Sequence, residues 1–245
     1  MKNAYGCDIS KWQDKPDTQQ KVNFKKMKAA GASFVFCKAS QGLTTDSKFL
    51  EYWQNSKGIL PRGAYHFLRF TMDGKKQAEY MWSLLEKDPG ELPPVCDFEK
   101  YPNETPPESA MNYLWAFVET IERLSGKIPI IYTGAYFWEQ YCTQNILWQR
   151  YPLWIAGYYM SLDSIEAMME KRTPWNAWHF WQFTDKGDGL AHGVESLQID
   201  MNYFNGTEEQ LYHTFKIKMA KSPLDLLRET ANRIWERREI REGGK

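Results

Sequence analysis

The stretch "PPVCDFEK", residues 93–100, sets Asp97 and Glu99 two positions apart in a short apolar run. The run reads as a strand, and on a strand residues i and i+2 share a face. Two carboxylates side by side on an apolar strand are unfavourable, because like charges and low polarity both oppose ionisation. Such a pair implies chemistry that needs two acids together. Cys96 lies between strand-mates of that face and is expected to point the other way, into packing, as is Cys7, which precedes Asp8.

Outward from this run, strand-like and helical stretches alternate. Strands are expected at 5–10, 33–40, 61–68, 93–100, 128–134, 152–158, 177–184 and 196–204. Helical spacing appears near 23–30, 47–57, 75–87 and 107–125, where Pro107 suits a first helical turn. Helices between the last strands look short or absent. The pattern predicts an α/β fold: an irregular TIM-like (β/α) barrel of eight strands, parallel, with reduced helices in its second half. An open doubly wound sheet would carry a Gly-rich first turn, and none is present.

Active sites of such barrels form at the C-terminal strand ends. Asp8 falls on the first strand, Asp97 and Glu99 on the fourth and Asp200 on the last, so closure would gather four carboxylates into one pocket. Crowding and burial raise carboxyl pKa values, which gives a proton donor near neutral pH with ionised partners around it. Residue types alone leave a divalent-cation site open, since hard cations also take carboxylate oxygens.

Composition narrows the classes. Lys+Arg and Asp+Glu both number 31, so no polyanionic partner such as nucleic acid is implied. No apolar run of membrane-spanning length appears, and the start "MKNAYGCDIS" has no apolar signal-peptide core, so folding in a cytoplasm is expected. The four cysteines form no C-x-x-C pair and read as buried free thiols. Aromatic residues make up 16%, an excess that sugar-binding clefts share.

Seven segments, in order, resemble the family 25 glycoside hydrolases, the Chalaropsis-type lysozymes common as bacteriophage endolysins: "YGCDISKWQ", "ASFVFCKASQG", "LPRGAYHF", "LPPVCDFE", "IPIIYTG", "PLWIAGY" and "IDMNYF". The resemblance covers about residues 5–206 and implies a barrel over 1–206; beyond it, 207–245 reads as a helical extension from its own capping and helical spacing. The resemblance also implies a retaining muramidase that cuts the β-1,4 bond between N-acetylmuramic acid and N-acetylglucosamine in peptidoglycan. Glu99 is then the general acid, Asp97 its partner carboxylate, and Asp8 and Asp200 complete the acidic site. Tyr65, Phe67, Tyr132, Trp154 and Trp181 are the candidate sugar-binding aromatics. Whether Asp97 attacks or the substrate's 2-acetamido group does is open. The family's usual acid in the second segment is Gln41 here, and its usual Thr is Ser40. His66 reads as packing or a satisfied polar group, and "TDKGDG" (184–189) as a turn.

The expectation is a monomer acting on bacterial peptidoglycan, without cofactor, metal or membrane insertion, made in a host cytoplasm. The competing readings are a metal-dependent phosphoesterase and a non-catalytic wall-binding module. The segment 216–245 carries nine Lys/Arg against five Asp/Glu. Its stretch 222–239 has a capped helical pattern with a stripe of Leu224, Leu227, Ala231 and Ile234, which either packs on the barrel or engages anionic wall polymer or lipid.

Overall fold

The computed structural model describes residues 3–14, 21–99, 107 and 109–218. The strands are β1 (Tyr5–Ile9), β2 (Phe34–Gln41), β3 (Thr44–Thr45), β4 (Arg62–Phe67), β5 (Val95–Asp97), β6 (Ile130–Gly134), β7 (Leu153–Ala156), β8 (Phe180–Asp188) and β9 (Gln198–Phe204). The helices are α1 (Phe24–Ala29), α2 (Phe49–Ser56), α3 (Gly74–Leu85), α4 (Ala110–Ser125), α5 (Ala135–Tyr141), α6 (Leu162–Arg172) and α7 (Glu208–Thr214). Eight strands close into a ring in the order β1-β2-β4-β5-β6-β7-β8-β9, and β3 is a short hairpin arm on β2.

The ring departs from the expected parallel barrel at one place. β9 pairs antiparallel with both β8 and β1, whereas the neighbours from β1 to β8 are parallel. Parallel neighbours need a long crossover, while antiparallel strands can be joined by a short loop. The chain returns from Asp188 to Gln198 without a helix, so β9 must run back. Its N-terminal end therefore sits at the mouth, where the other strands end.

Alternation along the strands sorts side chains into two cores. Phe34, Phe36, Val95, Ile130, Tyr132, Trp154, Phe180 and Phe204 fill the barrel. Cys7, Cys37, Ala64, Cys96, Ile131, Leu153, Ile155 and Trp181 face the surrounding helices. Cys7, Cys37 and Cys96 are buried free thiols, and Cys142 is free and half-buried. Inside the barrel, the Phe36 ring occupies the space a Cβ at Gly63 would need, 2.3 Å from its nearest ring atom. A side chain on Gly63 would displace an aromatic on which the inner stack rests.

The lower end is closed by apolar groups. Leu211 of α7 is buried in the inner core, and the Phe215 ring stacks on Phe180 at 5.6 Å. Residues just past 206 thus plug the barrel. The 222–239 stretch and its apolar stripe lie outside the described residues.

Candidate active site

The mouth holds a cleft of about 210 Å³ lined by Asp8, Asp97, Glu99 and Asp200. The strand register explains the convergence. Asp8 and Asp200 are direct cross-strand partners in the β1–β9 ladder. Asp97 ends β5, and the Phe98 N–H continues the ladder to the Tyr132 carbonyl at 2.9 Å. That bond keeps the strand's alternation past its formal end: Asp97 and Glu99 face the cleft, while Cys96 and Phe98 join the outer core.

Asp8 is held by a directed network. Gln182 Nε2 and Asn202 Nδ2 each donate to Asp8 Oδ2 at 2.8 Å. Both amides are oriented from behind. The Trp154 indole N–H donates to Asn202 Oδ1 at 2.8 Å, and the hydroxyls of Tyr132 and Tyr158 donate to Gln182 Oε1 at 2.7 and 2.8 Å. An indole N–H can only donate, so Asn202 must turn its NH₂ toward Asp8. This arrangement favours a charged Asp8, although burial still lifts its pKa to about 6, with the two amide bonds opposing.

Among the described residues the other acids lack such donors. Asp97 Oδ1 is buried without a hydrogen-bond partner among the described residues. Burial, then the Glu99 charge, hold the Asp97 carboxyl well above the usual range, with Lys38 opposing. Burial lifts Glu99 to about 7, with Lys38 pulling down and Asp8 pushing up. Asp200 is lifted to about 8, by burial first and then by Asp8, Asp185 and Glu99. The cleft therefore retains protons near neutral pH and sets donor-poor acids against one amide-held carboxylate.

Among the expected aromatics, Tyr65, Phe67, Tyr132 and Trp154 line this cleft. Trp181 does not. Its neighbours Phe180 and Gln182 face inward, so it faces outward, where its indole N–H donates to the Gly157 carbonyl at 2.8 Å. His66 is fully buried in the outer layer, accepting from the Ser40 hydroxyl at 2.8 Å and donating to Gln77 Oε1 at 3.1 Å. Burial lowers it to about 4, so it is a neutral structural group.

Five further cleft residues escaped the sequence reading: Ser10, Trp12, Lys38, Tyr158 and Gln182. Asn202, which orients Asp8 from behind, escaped it too. The signal for Gln182 and Asn202 was strand parity with Phe180 and Phe204. Trp12 sits in a 3₁₀ turn, Lys11–Gln13, where the Ser10 N–H donates to Gln13 Oε1 at 2.7 Å in a capping box. That turn holds the indole at the lip, 75% exposed.

A closed β/α barrel with a carboxylate cluster at its mouth is an architecture suited to glycoside hydrolysis. The family model "Glycosyl hydrolases family 25" matches residues 7–191, and the chain belongs to that family. It is 32% identical to the uncharacterized protein YegX of Escherichia coli K12, over 84% of this chain and 71% of the relative. It is 31% identical to Lysozyme M1 of Streptomyces globisporus, over 84% of this chain and 69% of the relative. The solved muramidase of Acremonium alcalophilum superposes with a TM-score of 0.71 at 31% identity, covering 86% of this chain and 98% of that one.

Proposed function

We propose that the protein is a retaining N-acetylmuramidase that cuts the β-1,4 bond between N-acetylmuramic acid and N-acetylglucosamine in peptidoglycan, with Glu99 as general acid. The observation that carries this reading is the pairing of Asp97 and Glu99 on one cleft face opposite an amide-held Asp8. Glu99, with a carboxyl lifted to about 7, holds its proton into the neutral range. It delivers that proton to the glycosidic oxygen as the C1–O bond breaks. The ionised carboxylates stabilise the oxocarbenium-like transition state, and Asp97 either attacks C1 or orients the acetamido oxygen that does. Glu99, now ionised, takes a proton from the water that completes hydrolysis.

The exposed Trp12 indole at the lip of the cleft offers a face on which glycan beyond the reacting sugar can lie, which supports a polymer substrate. The names lysozyme and muramidase, carried by two of the relatives, agree with this substrate.

The test is to digest purified peptidoglycan, reduce the products with borohydride and identify the new reducing sugar by mass spectrometry. Muramitol is expected, and glucosaminitol or no sugar alcohol would overturn the reading. Glu99→Gln should lower turnover by ~10²–10⁴ or more while the protein stays folded.

The physiological role we propose is that of a monomeric phage-type lytic enzyme, folded in a reducing cytoplasm before it reaches the wall. Its four free cysteines support that route. Thiol titration of protein taken directly from cells should find all of them reduced, and a native disulfide would contradict the route.

A further inference from the structure

We infer that Lys38 is a positioning residue for this reaction: its ammonium, held at the level of Asp97, is the cation that favours the ionised form of that buried acid against burial and the neighbouring Glu99, so that Glu99 can be the member of the pair that carries the proton. The inference rests on the proposed role of Glu99 and adds to it the group that favours charge on its partner.

The register places Lys38 for this task. Its backbone pairs with Tyr65, one layer below the acids, but its side chain rises toward the mouth. Lys38 Nζ hydrogen-bonds Gln41 Oε1 at 3.0 Å and lies over the Phe67 ring, 5.0 Å from its centroid. Gln41 pairs with Phe67, and Phe67 pairs with Asp97, in the successive ladders of β2, β4 and β5. The ammonium therefore sits at the level of Asp97, whereas Glu99 lies two residues farther out.

The surrounding charges leave that acid as the partner. Lys38 faces Asp97, Asp46 and Glu99, with Lys11 as the like charge. Asp46 already accepts the backbone N–H groups of Lys48 and Lys11, at 3.0 and 3.2 Å. Asp8 already accepts two amides, and Asp200 lies across the cleft beside it. Asp97 alone combines burial, an unpartnered oxygen and the ammonium's own level. Gln41 is neutral, so it tethers the ammonium without cancelling its charge. An ammonium has three donors, and among the described residues this one directs a single hydrogen bond, to Gln41. Burial lowers the Lys38 pKa while Asp97, Asp46 and Glu99 oppose that effect, consistent with a cation sustained by the acids it serves.

The experiment compares pH profiles of kcat and kcat/KM on soluble glycan fragments for wild type, Lys38→Met, Lys38→Arg and Gln41→Glu. Removing a nearby cation makes both acids harder to ionise, so both limbs in Lys38→Met should move to higher pH by roughly one unit or more. The rate below pH 6 should fall at least ~10-fold at nearly unchanged KM. Lys38→Arg should hold the wild-type profile. Gln41→Glu keeps the ammonium and strengthens its tether, yet sets a fixed negative charge against it. It should shift the limbs the same way by less, and it tests the inference even if Lys38→Met does not fold. Unmoved limbs in Gln41→Glu and in folded Lys38→Met would overturn the inference, as would a change in KM alone. Full turnover by Glu99→Gln, with Lys38 intact, would instead remove the general acid on which it rests.

Discussion

Arg62 and Lys38 sit on the neighbouring strands β4 and β2, at opposite ends of the barrel, and the fold treats the two cations in opposite ways. Arg62 is 1% exposed at the closed end. Its Nε and one terminal nitrogen donate to Glu91, both terminal nitrogens donate to Asp88, and one also donates to the Trp53 carbonyl, all at 2.9–3.0 Å. These bonds use all five guanidinium donors. The charge also lies 4.5 Å from the Trp53 ring centroid. Burial would lower the Arg62 pKa, but Asp88 and Glu91 outweigh it and push it up. Lys38, at the mouth, is given one neutral acceptor and carboxylates beyond bonding range. A fully satisfied cation staples structure, and its charge is spent locally. A cation left with unmet capacity beside unpartnered acids acts on those acids.

The largest effect that could break this contrast is on Arg62. Arg62→Met removes five charge-assisted hydrogen bonds while Asp88 keeps Lys57 and Glu91 keeps the residue 62 backbone N–H, so it should cost about 3 kcal/mol. For a chain of this size the melting temperature should fall by roughly 10 °C, measured calorimetrically at pH 7. The pH limbs of activity should stay in place. If they move as in Lys38→Met, the two cations are not different in kind. The Arg62 bond also holds Asp88 below its ordinary value. That part of the stability is complete above the unfolded carboxyl pKa and is lost as pH falls through the lower folded value, so the gap between wild type and Arg62→Met should narrow in acid.

A smaller effect sharpens the mouth side. Asp200 is lifted to about 8 in the folded state, by burial, Asp8, Asp185 and Glu99. A raised carboxyl binds its proton more tightly when folded, so stability is highest at acid pH and declines as pH rises toward that folded value. Asp200→Asn should therefore raise the melting temperature near pH 8 by roughly 2–4 °C, equivalent to about 1 kcal/mol, and give no gain at pH 4. Equal effects at both pH values would show that the site stores no electrostatic strain at Asp200.

The smallest expected effect is none. EDTA should leave activity within error of wild type, because the carboxylates serve proton transfer and charge stabilisation. Loss of activity restored by Mg²⁺, Mn²⁺ or Ca²⁺ would reassign the cluster to a cation and remove the contrast between the two ends.

Particular residues show what could be read in advance. The spacing of Asp97 and Glu99, with Cys96 on the opposite face, needs only the two-residue period of a strand, and the structure keeps that arrangement. The same period places Trp181 outside the cleft once Phe180 and Gln182 are assigned inward. Position near a strand end makes Trp181 a candidate, and only parity along β8 excludes it. The apolar alternation at 5–10 and the short apolar run at 128–134 yield strands directly, because both patterns are local information.

By itself, the sequence determined the alternating elements, the ring they could close, the four acids and the seven segments that mark the family. These depend on residue type and short-range periodicity. Only the tertiary structure decided that β9 runs antiparallel, which sets Asp200 directly opposite Asp8. Only it decided that Gln182 and Asn202 converge on one oxygen of Asp8 from two strands, and that Lys38 rises to the level of Asp97 across an intervening strand. The physical reason is that hydrogen bonds and charge interactions act over a few ångströms of space, between residues as far apart in the chain as Asp8 and Asn202. No local pattern carries that distance until the barrel closes.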